Sequence, residues 1–279
     1  MDKDAGSMKR IINSGAGAIV TKSIGLEPRN GYPNPTVVEL EHGFLNAMGL
    51  PNPGIEFFKE ELKKLKKSNV PIIGSIFGSN IKEFLKLAEK MQNYEIDALE
   101  LNMSCPHAKG YGFEIGSDPK LVKNITLKVK EFIETPVFVK LSPDLTNIID
   151  IAKSAEAGNA DAIVAINTVK AMKIDLDLKI PVLSNKIGGY SGKAIKPIGI
   201  RCVYEISKNV EIPVIGVGGI NTGEDVIEYF MAGASAVQVG SGIYYRGVGI
   251  FKIICDEIEK WMKEHGYNNL SEIIGAAHL

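Results

Sequence analysis

Seven short apolar, β-branched runs recur along the chain, at residues 18–22, 71–77, 97–103, 136–142, 162–168, 213–220 and 236–240. Between them lie stretches whose apolar positions return every three or four residues against a Lys/Glu face, at 55–67, 81–92, 119–134, 145–157 and 224–232. The first pattern predicts strands buried on both faces and the second predicts surface helices. Strand followed by helix, repeated, is an α/β chain with a parallel sheet and helices outside it. Residues 1–7 read as a loop and 8–13 as a short helix.

The count selects an architecture. Seven core strands are one short of a closed (β/α)8 TIM barrel. The expectation is such a barrel, with its first strand preceding Met1 and missing from the N-terminus of this chain. The alternative is an open seven-stranded sheet. Two connections exceed a simple helix. Residues 23–53 contain an alternating run at 36–41 and then 44–50, and residues 169–195 contain 181–184 and Gly188-Gly189-Tyr190-Ser191-Gly192. Each follows a core strand, so each should lie over the carboxyl end of the sheet, where long loops carry function. With no linker, repeat or low-complexity tract, residues 1–279 read as one domain.

Composition narrows the partners. Lys plus Arg (32) nearly cancels Asp plus Glu (33), which argues against nucleic acid or a membrane surface. No apolar run approaches the ~20 residues that span a bilayer, and no signal peptide is visible. Cys105, Cys202 and Cys255 are too few and scattered for a disulfide framework or an iron–sulfur cluster, so a cytoplasmic setting fits. Cys202 and Cys255 lie in helical patterns and read as packing residues. His42, His107, His265 and His278 have no metal-ligand spacing, and no metal site is expected. His107 is a candidate substrate contact by its place beside Cys105.

The candidate chemistry sits where strands end. In Ala98-Leu99-Glu100-Leu101-Asn102-Met103-Ser104-Cys105-Pro106 a strand delivers an amide, a hydroxyl and a thiol onto a loop. Ligands bind at that end of α/β sheets. Cys105 reads either as a small buried hydrophobe or as a general base, its reference pKa near ~8.5 suiting proton abstraction close to neutrality. Val217-Gly218-Gly219-Ile220 and Val239-Gly240-Ser241-Gly242 follow the last two strands, where barrels commonly hold a phosphate on backbone N–H groups, although such glycines also make plain tight turns. Lys22 and Lys140 end or interrupt apolar strands, as lysines facing an anion do or as strand-end lysines with their heads in water. Asn46, Asn102 and Asn167 offer paired donors and acceptors for an amide-like heterocycle, or cap turns. Ser104 and Thr168 add hydroxyls.

Taken together, these residues resemble class 1 dihydroorotate dehydrogenases over nearly the whole chain. The resemblance rests on Val20-Thr21-Lys22-Ser23, Leu26-Glu27-Pro28-Arg29 with Gly31, Asn46-Ala47-Met48-Gly49-Leu50-Pro51-Asn52 and Asn102-Met103-Ser104-Cys105-Pro106. It continues through the Lys140 strand, Asn167-Thr168, Gly189-Tyr190-Ser191-Gly192, Gly216-Val217-Gly218-Gly219-Ile220 and Val239-Gly240-Ser241. It implies an FMN-dependent barrel oxidising dihydroorotate to orotate in pyrimidine biosynthesis, with one FMN per subunit. Cys105 would be the base. Lys22, Asn46, Met48, Gly49, Leu50, Asn102, Asn167 and Thr168 would hold substrate. Lys22, Ser23, Asn102, Lys140, Ile166, Gly192, Gly218, Gly219, Gly240 and Ser241 would hold FMN. The stretch from Asn167-Thr168 to Met172-Lys173-Ile174-Asp175 looks like subclass 1B. That implies a homodimer, or a heterotetramer with a partner subunit carrying FAD and a [2Fe-2S] cluster and passing electrons to NAD+. His107 departs from the Asn common at its position. A missing first strand would leave two unpaired edges and weaken the FMN site. The competing readings are another FMN barrel, such as a tRNA dihydrouridine synthase, and a catalytically silent scaffold subunit.

Overall fold

Residues 4–65, 68–104, 113–144 and 147–278 are described by a computed structural model, and the side chains of residues 113 and 114 are left aside. The strands in chain order are β1 (Ile19–Val20), β2 (Val37–Leu40), β3 (Gly43–Asn46), β4 (Ile72–Ile76), β5 (Ala98–Asn102), β6 (Val137–Leu141) and β7 (Ala162–Ala165). They continue as β8 (Val169–Ala171), β9 (Ile174–Asp175), β10 (Ile180–Pro181), β11 (Gly188–Ser191), β12 (Val214–Val217) and β13 (Ala236–Gln238). The helices are α1 (Ala5–Ile12), α2 (Ile55–Leu65), α3 (Ile81–Asn93), α4 (Phe113–Gly116), α5 (Pro119–Phe132), α6 (Ile148–Glu156), α7 (Lys196–Ser207), α8 (Gly223–Met231), α9 (Gly242–Arg246) and α10 (Ile250–His265).

All seven runs expected as core strands join one parallel sheet in the order β1-β4-β5-β6-β7-β12-β13. That order places each strand beside its predecessor, the winding of a TIM-type barrel. One hydrogen bond shows how far the sheet curls. Glu100 on β5 and Gln238 on β13 are four strand intervals apart, yet Gln238 Nε2 donates to Glu100 Oε2 over 3.2 Å. Strands ~4.8 Å apart in a flat sheet would separate them by roughly 19 Å. The sheet therefore wraps an interior, and among the described residues β1 and β13 are its two edges.

The helices form where amphipathic spacing meets a cap. In α3 the buried Phe84, Leu87, Ala88 and Met91 follow the i, i+3, i+4, i+7 pattern, and the Asn80 side chain accepts from the Glu83 N–H. Asp118, Asn147 and Thr222 cap α5, α6 and α8 in the same way. The expected loop at residues 1–7 needs correction, because α1 already starts at Ala5. Asp4 Oδ1 accepts from Ser7 N–H at 2.8 Å, and Glu61 of α2 accepts from Ala5 N–H at 2.7 Å, so a short polar segment gains a cap and a neighbour. Cys255 is a second correction. It is exposed, because α10 buries Ile250 and Ile254 and the next residue is rotated about 100° away from that face. Cys202 is buried as expected, which pushes its thiol up to about 11.

The two long insertions lock into one antiparallel sheet of order β2-β3-β11-β8. Its central pairing joins β3 of the first insertion to β11 of the second, Asn46 opposite Gly189. Leu45, Ala47 and Leu183 form a small separate core beneath it. The Phe44 ring meets Tyr244 edge-on at 4.7 Å, tying this cap to the segment beyond β13. The β9–β10 hairpin stands apart, with Leu176 86% and Leu178 68% exposed.

Candidate active site

At the carboxyl end of β5 four side chains from three segments interlock. Asn102 Nδ2 donates to Ser23 Oγ at 2.9 Å. Ser104 Oγ donates to Asn102 Oδ1 at 3.0 Å, and Asn167 Nδ2 donates to Ser104 Oγ at 3.0 Å and to its carbonyl at 3.1 Å. Asn167 Oδ1 accepts from Thr168 N–H at 2.8 Å. Asn102 and Ser104 are buried, so each satisfied polar group fixes its neighbour in a water-poor place. Cys105 is the next residue. It lies with His107 outside the described residues, so the base assigned to it rests on sequence.

The same network continues into the sheet interior. Ser23 Oγ and Ser75 Oγ share a hydrogen bond of 2.8 Å, and Ser75 Oγ donates to Glu100 Oε1 at 3.1 Å. Lys140 Nζ donates to Gln238 Oε1 at 3.3 Å and stands 3.8 Å from Glu100 Oε1. Sequence reasoning passed over Ser75, Glu100 and Gln238. The signal was present in one carboxylate inside the apolar run Ala98–Asn102, since an unpaired charge is too costly to bury there. Lys140 thus has an anionic neighbour. Lys22, half-buried beyond β1, has no carboxylate partner among the described residues.

The antiparallel cap contributes a third wall. Asn46 Nδ2 donates to the Gly189 carbonyl at 3.2 Å. Gly49 has φ +75°, and a Cβ there would lie 2.7 Å from Tyr32 N, so this turn tolerates only glycine. Leu50 beside it is also left-handed at φ 56° and is buried, while Met48 is 39% exposed. Asn52, which carried no assigned role, organises the turn. Its Oδ1 accepts from Gly25 N–H at 3.2 Å and Gly54 N–H at 3.0 Å, and its Nδ2 donates to the Leu50 carbonyl at 3.0 Å.

Across the sheet, the ends of β12 and β13 are built from backbone. Gly192, Gly218 and Gly219 have φ values of +110°, +134° and +70°. A Cβ on Gly219 would lie 2.9 Å from both Gly192 O and Lys196 N, so the two glycine turns touch. A Cβ on Gly240 would meet nothing within 4 Å. The helical turns that begin at Gly192 and Ser241 have no side-chain cap, unlike α3, α5, α6 and α8. Free N–H groups in glycine turns form a cradle for an anion. Ile166 follows a cis peptide bond and is buried, its N–H donating to Val217 O at 3.0 Å between the two halves.

Two cations next to this cradle are already committed. Lys196 donates to Asp225 at 2.8 Å and to Glu228 at 2.7 Å. Burial works to raise the Asp225 carboxyl, but hydrogen bonds from Lys196 and from the Asn221 and Thr222 N–H groups outweigh it and hold it below the usual range. Arg246 donates to the Asn221 carbonyl at 2.8 Å and to Glu257 at 2.7 Å, and Glu257 accepts from Gly223 N–H at 2.6 Å. The Arg246 bond holds the Glu257 carboxyl low against the opposing effect of burial. These ion pairs brace the glycine loop from behind. Among the described residues no group of His, Cys, Asp and Glu could hold a metal ion, and no helix is long and apolar enough to cross a membrane.

This site sits in a chain with clear relatives. The family model for dihydroorotate dehydrogenase matches residues 1–262. The protein of Methanocaldococcus jannaschii called dihydroorotate dehydrogenase B (NAD(+)), catalytic subunit, is 54% identical over 282 residues, covering 100% of this chain and 92% of the relative. The Thermoplasma acidophilum protein of the same name is 50% identical, covering 99% of this chain and 92% of its own length. That of Methanosarcina mazei is 54% identical, covering 95% and 84%.

Proposed function

The chain belongs to the dihydroorotate dehydrogenase family, and from that premise we propose that it oxidises dihydroorotate to orotate with FMN, as the catalytic subunit of a class 1B enzyme. The observation that carries the reading is the Asn102–Ser104–Asn167 lock at the foot of the Cys105 loop. It sets the Asn102 and Asn167 amides at one strand end, and the chain runs directly from Ser104 into Cys105.

The residues present fit FMN. The Gly192, Gly218, Gly219, Gly240 and Ser241 turns offer uncapped N–H groups and leave no room for a Cβ at Gly219. Those residues would hold the phosphate, while Lys22, Ser23, Asn102, Lys140 and Ile166 would border the ring. Bound FMN supplies the acceptor for the hydride leaving C6 of dihydroorotate. The Cys105 thiolate takes the proton from C5. Asn46, Asn102, Asn167 and Thr168 read the amide edge of the ring substrate, and Met48, Gly49 and Leu50 close over it. The Lys22 ammonium, without a carboxylate partner among the described residues, suits the substrate carboxylate.

Electrons leave through a partner. The relatives' names carry NAD(+) and the word subunit, and three cysteines in the whole chain fall short of the four thiolates that hold an iron–sulfur cluster. The proposal is a partner with FAD and a [2Fe-2S] cluster, bound to a homodimer of this chain in a cytoplasmic heterotetramer. The exposed apolar hairpin β9–β10 supports an assembled rather than a solitary subunit.

The test is to purify the chain, quantify FMN, and add dihydroorotate without oxygen. The expected outcome is loss of the oxidised-flavin absorbance and formation of orotate. Bound flavin that stays oxidised would refute the substrate, and absence of flavin would refute the cofactor.

A further inference from the structure

Glu100 is only 1% exposed in the interior of the curled sheet. A carboxylate there is tolerated only when its oxygens are satisfied and its charge is matched. Three strands do this. Ser75 of β4 donates to Oε1 at 3.1 Å, Gln238 of β13 donates to Oε2 at 3.2 Å, and the Lys140 ammonium of β6 stands 3.8 Å from Oε1. Gln238 also accepts from Lys140 at 3.3 Å, so one amide spans both charges. An ammonium has three donors. With one on Gln238 and one facing Glu100, the third has no partner among the described residues and can point at a ligand.

We propose that Glu100 is a positioning residue for the reaction. It fixes the Lys140 ammonium, tempers its positive charge and, through Ser75 and Ser23, orients the Asn102 amide. The inference rests on the reading above in which Lys140 borders the flavin. It adds that the ammonium works as half of a buried pair. A full positive charge beside a flavin favours its reduced, anionic form. A carboxylate 3.8 Å behind that charge weakens its pull. The Ser75–Ser23–Asn102 chain couples the same carboxylate to the group that holds substrate, with bonds of 2.8 and 2.9 Å.

The test measures the flavin reduction potential and the affinity for sulfite, which adds to the flavin more readily beside a positive charge. Four FMN-loaded proteins are compared: wild type, Glu100→Gln, Lys140→Met and the double variant. Glu100→Gln is expected to raise the potential and tighten sulfite by about tenfold, which is about 30 mV for a two-electron couple. Lys140→Met is expected to lower both. The double variant should match Lys140→Met, because Glu100 acts through Lys140. A Glu100→Gln shift that persists without Lys140, or no shift at all, overturns the proposal. If Lys140→Met itself changes nothing, the placement of Lys140 beside the flavin falls and this inference falls with it. A shift in Lys140→Met with none in Glu100→Gln overturns the inference alone. Where Glu100→Gln does not fold, Glu100→Asp draws the carboxylate back and should give a smaller shift of the same sign, and its absence counts equally against the proposal. Ser75→Ala should raise KM for dihydroorotate and leave the potential unmoved.

Discussion

The two halves of the carboxyl-end site are built from different materials. On the β1–β7 side, the proposed recognition falls to specific side chains, with Ser23, Ser75, Glu100, Asn102, Ser104 and Asn167 in one continuous set of hydrogen bonds. On the β12–β13 side, the proposed cradle is glycine backbone, and Lys196 and Arg246 nearby are spent on carboxylates. The difference separates two tasks. Chemistry needs groups that gain or lose protons and hydrogen bonds at named atoms. Holding an anion needs only N–H groups held in a fixed curve, and paired charges behind the loop keep that curve rigid without competing for the ligand.

If the division holds, substitutions on the first side should change rate with flavin retained, and those on the second should change flavin occupancy with rate per bound flavin retained. The largest effect is expected at Cys105→Ala, which should slow anaerobic flavin reduction by about 100- to 10,000-fold at full FMN content. Gly219→Val should come next. Its side chain collides with Gly192 and Lys196 at a φ of +70°, so FMN affinity should fall at least about tenfold, read by titrating flavin into apoprotein. Asn167→Ala should raise KM for dihydroorotate by about tenfold with an unchanged flavin spectrum. A glycine variant that kept its flavin but lost its rate would break the comparison.

Acid should attack the second half first. Asp225 and Glu257 both lie below the usual carboxylate range when folded. Their stabilisation is therefore complete at neutral pH and is lost as pH falls through those lowered values. Flavin fluorescence should report FMN release below about pH 4, and Glu257→Gln should move that release toward neutrality. The smallest effect is expected at Leu178→Lys on the exposed hairpin. The thermal stability of the isolated subunit should change by no more than ~0.5 kcal/mol, while sedimentation detects any loss of assembly.

The local layer of this molecule was legible in its sequence. Apolar runs marked the core strands, and Asn80, Asp118 and Thr222 begin helices where a short polar side chain precedes an amphipathic stretch. The glycine turns after β12 and β13 were legible as turns, and the left-handed Gly218 and Gly219 bear that out, while tight turn and anion loop look alike in sequence. What escaped depends on curvature. Nothing local to Glu100 names Gln238 as its partner 138 residues away, since the two meet only once the sheet has rolled up. The face of α10 that Cys255 occupies was equally hidden, because the pattern is weak there and only Ile250 and Ile254 are buried.

The pairing of β3 with β11 has a consequence in time. It joins Asn46 to Gly189, residues 143 apart, through strands that each belong to an insertion. Neither insertion can complete its sheet from its own residues. The cap must therefore wait until β4 to β7, which lie between them in the chain, have been made and folded. Contacts of such long sequence separation are entropically costly to close. On a ribosome, the wall that holds Asn46 over the site is finished late, so a half-made chain carries the thiol of Cys105 but no chamber in which to use it.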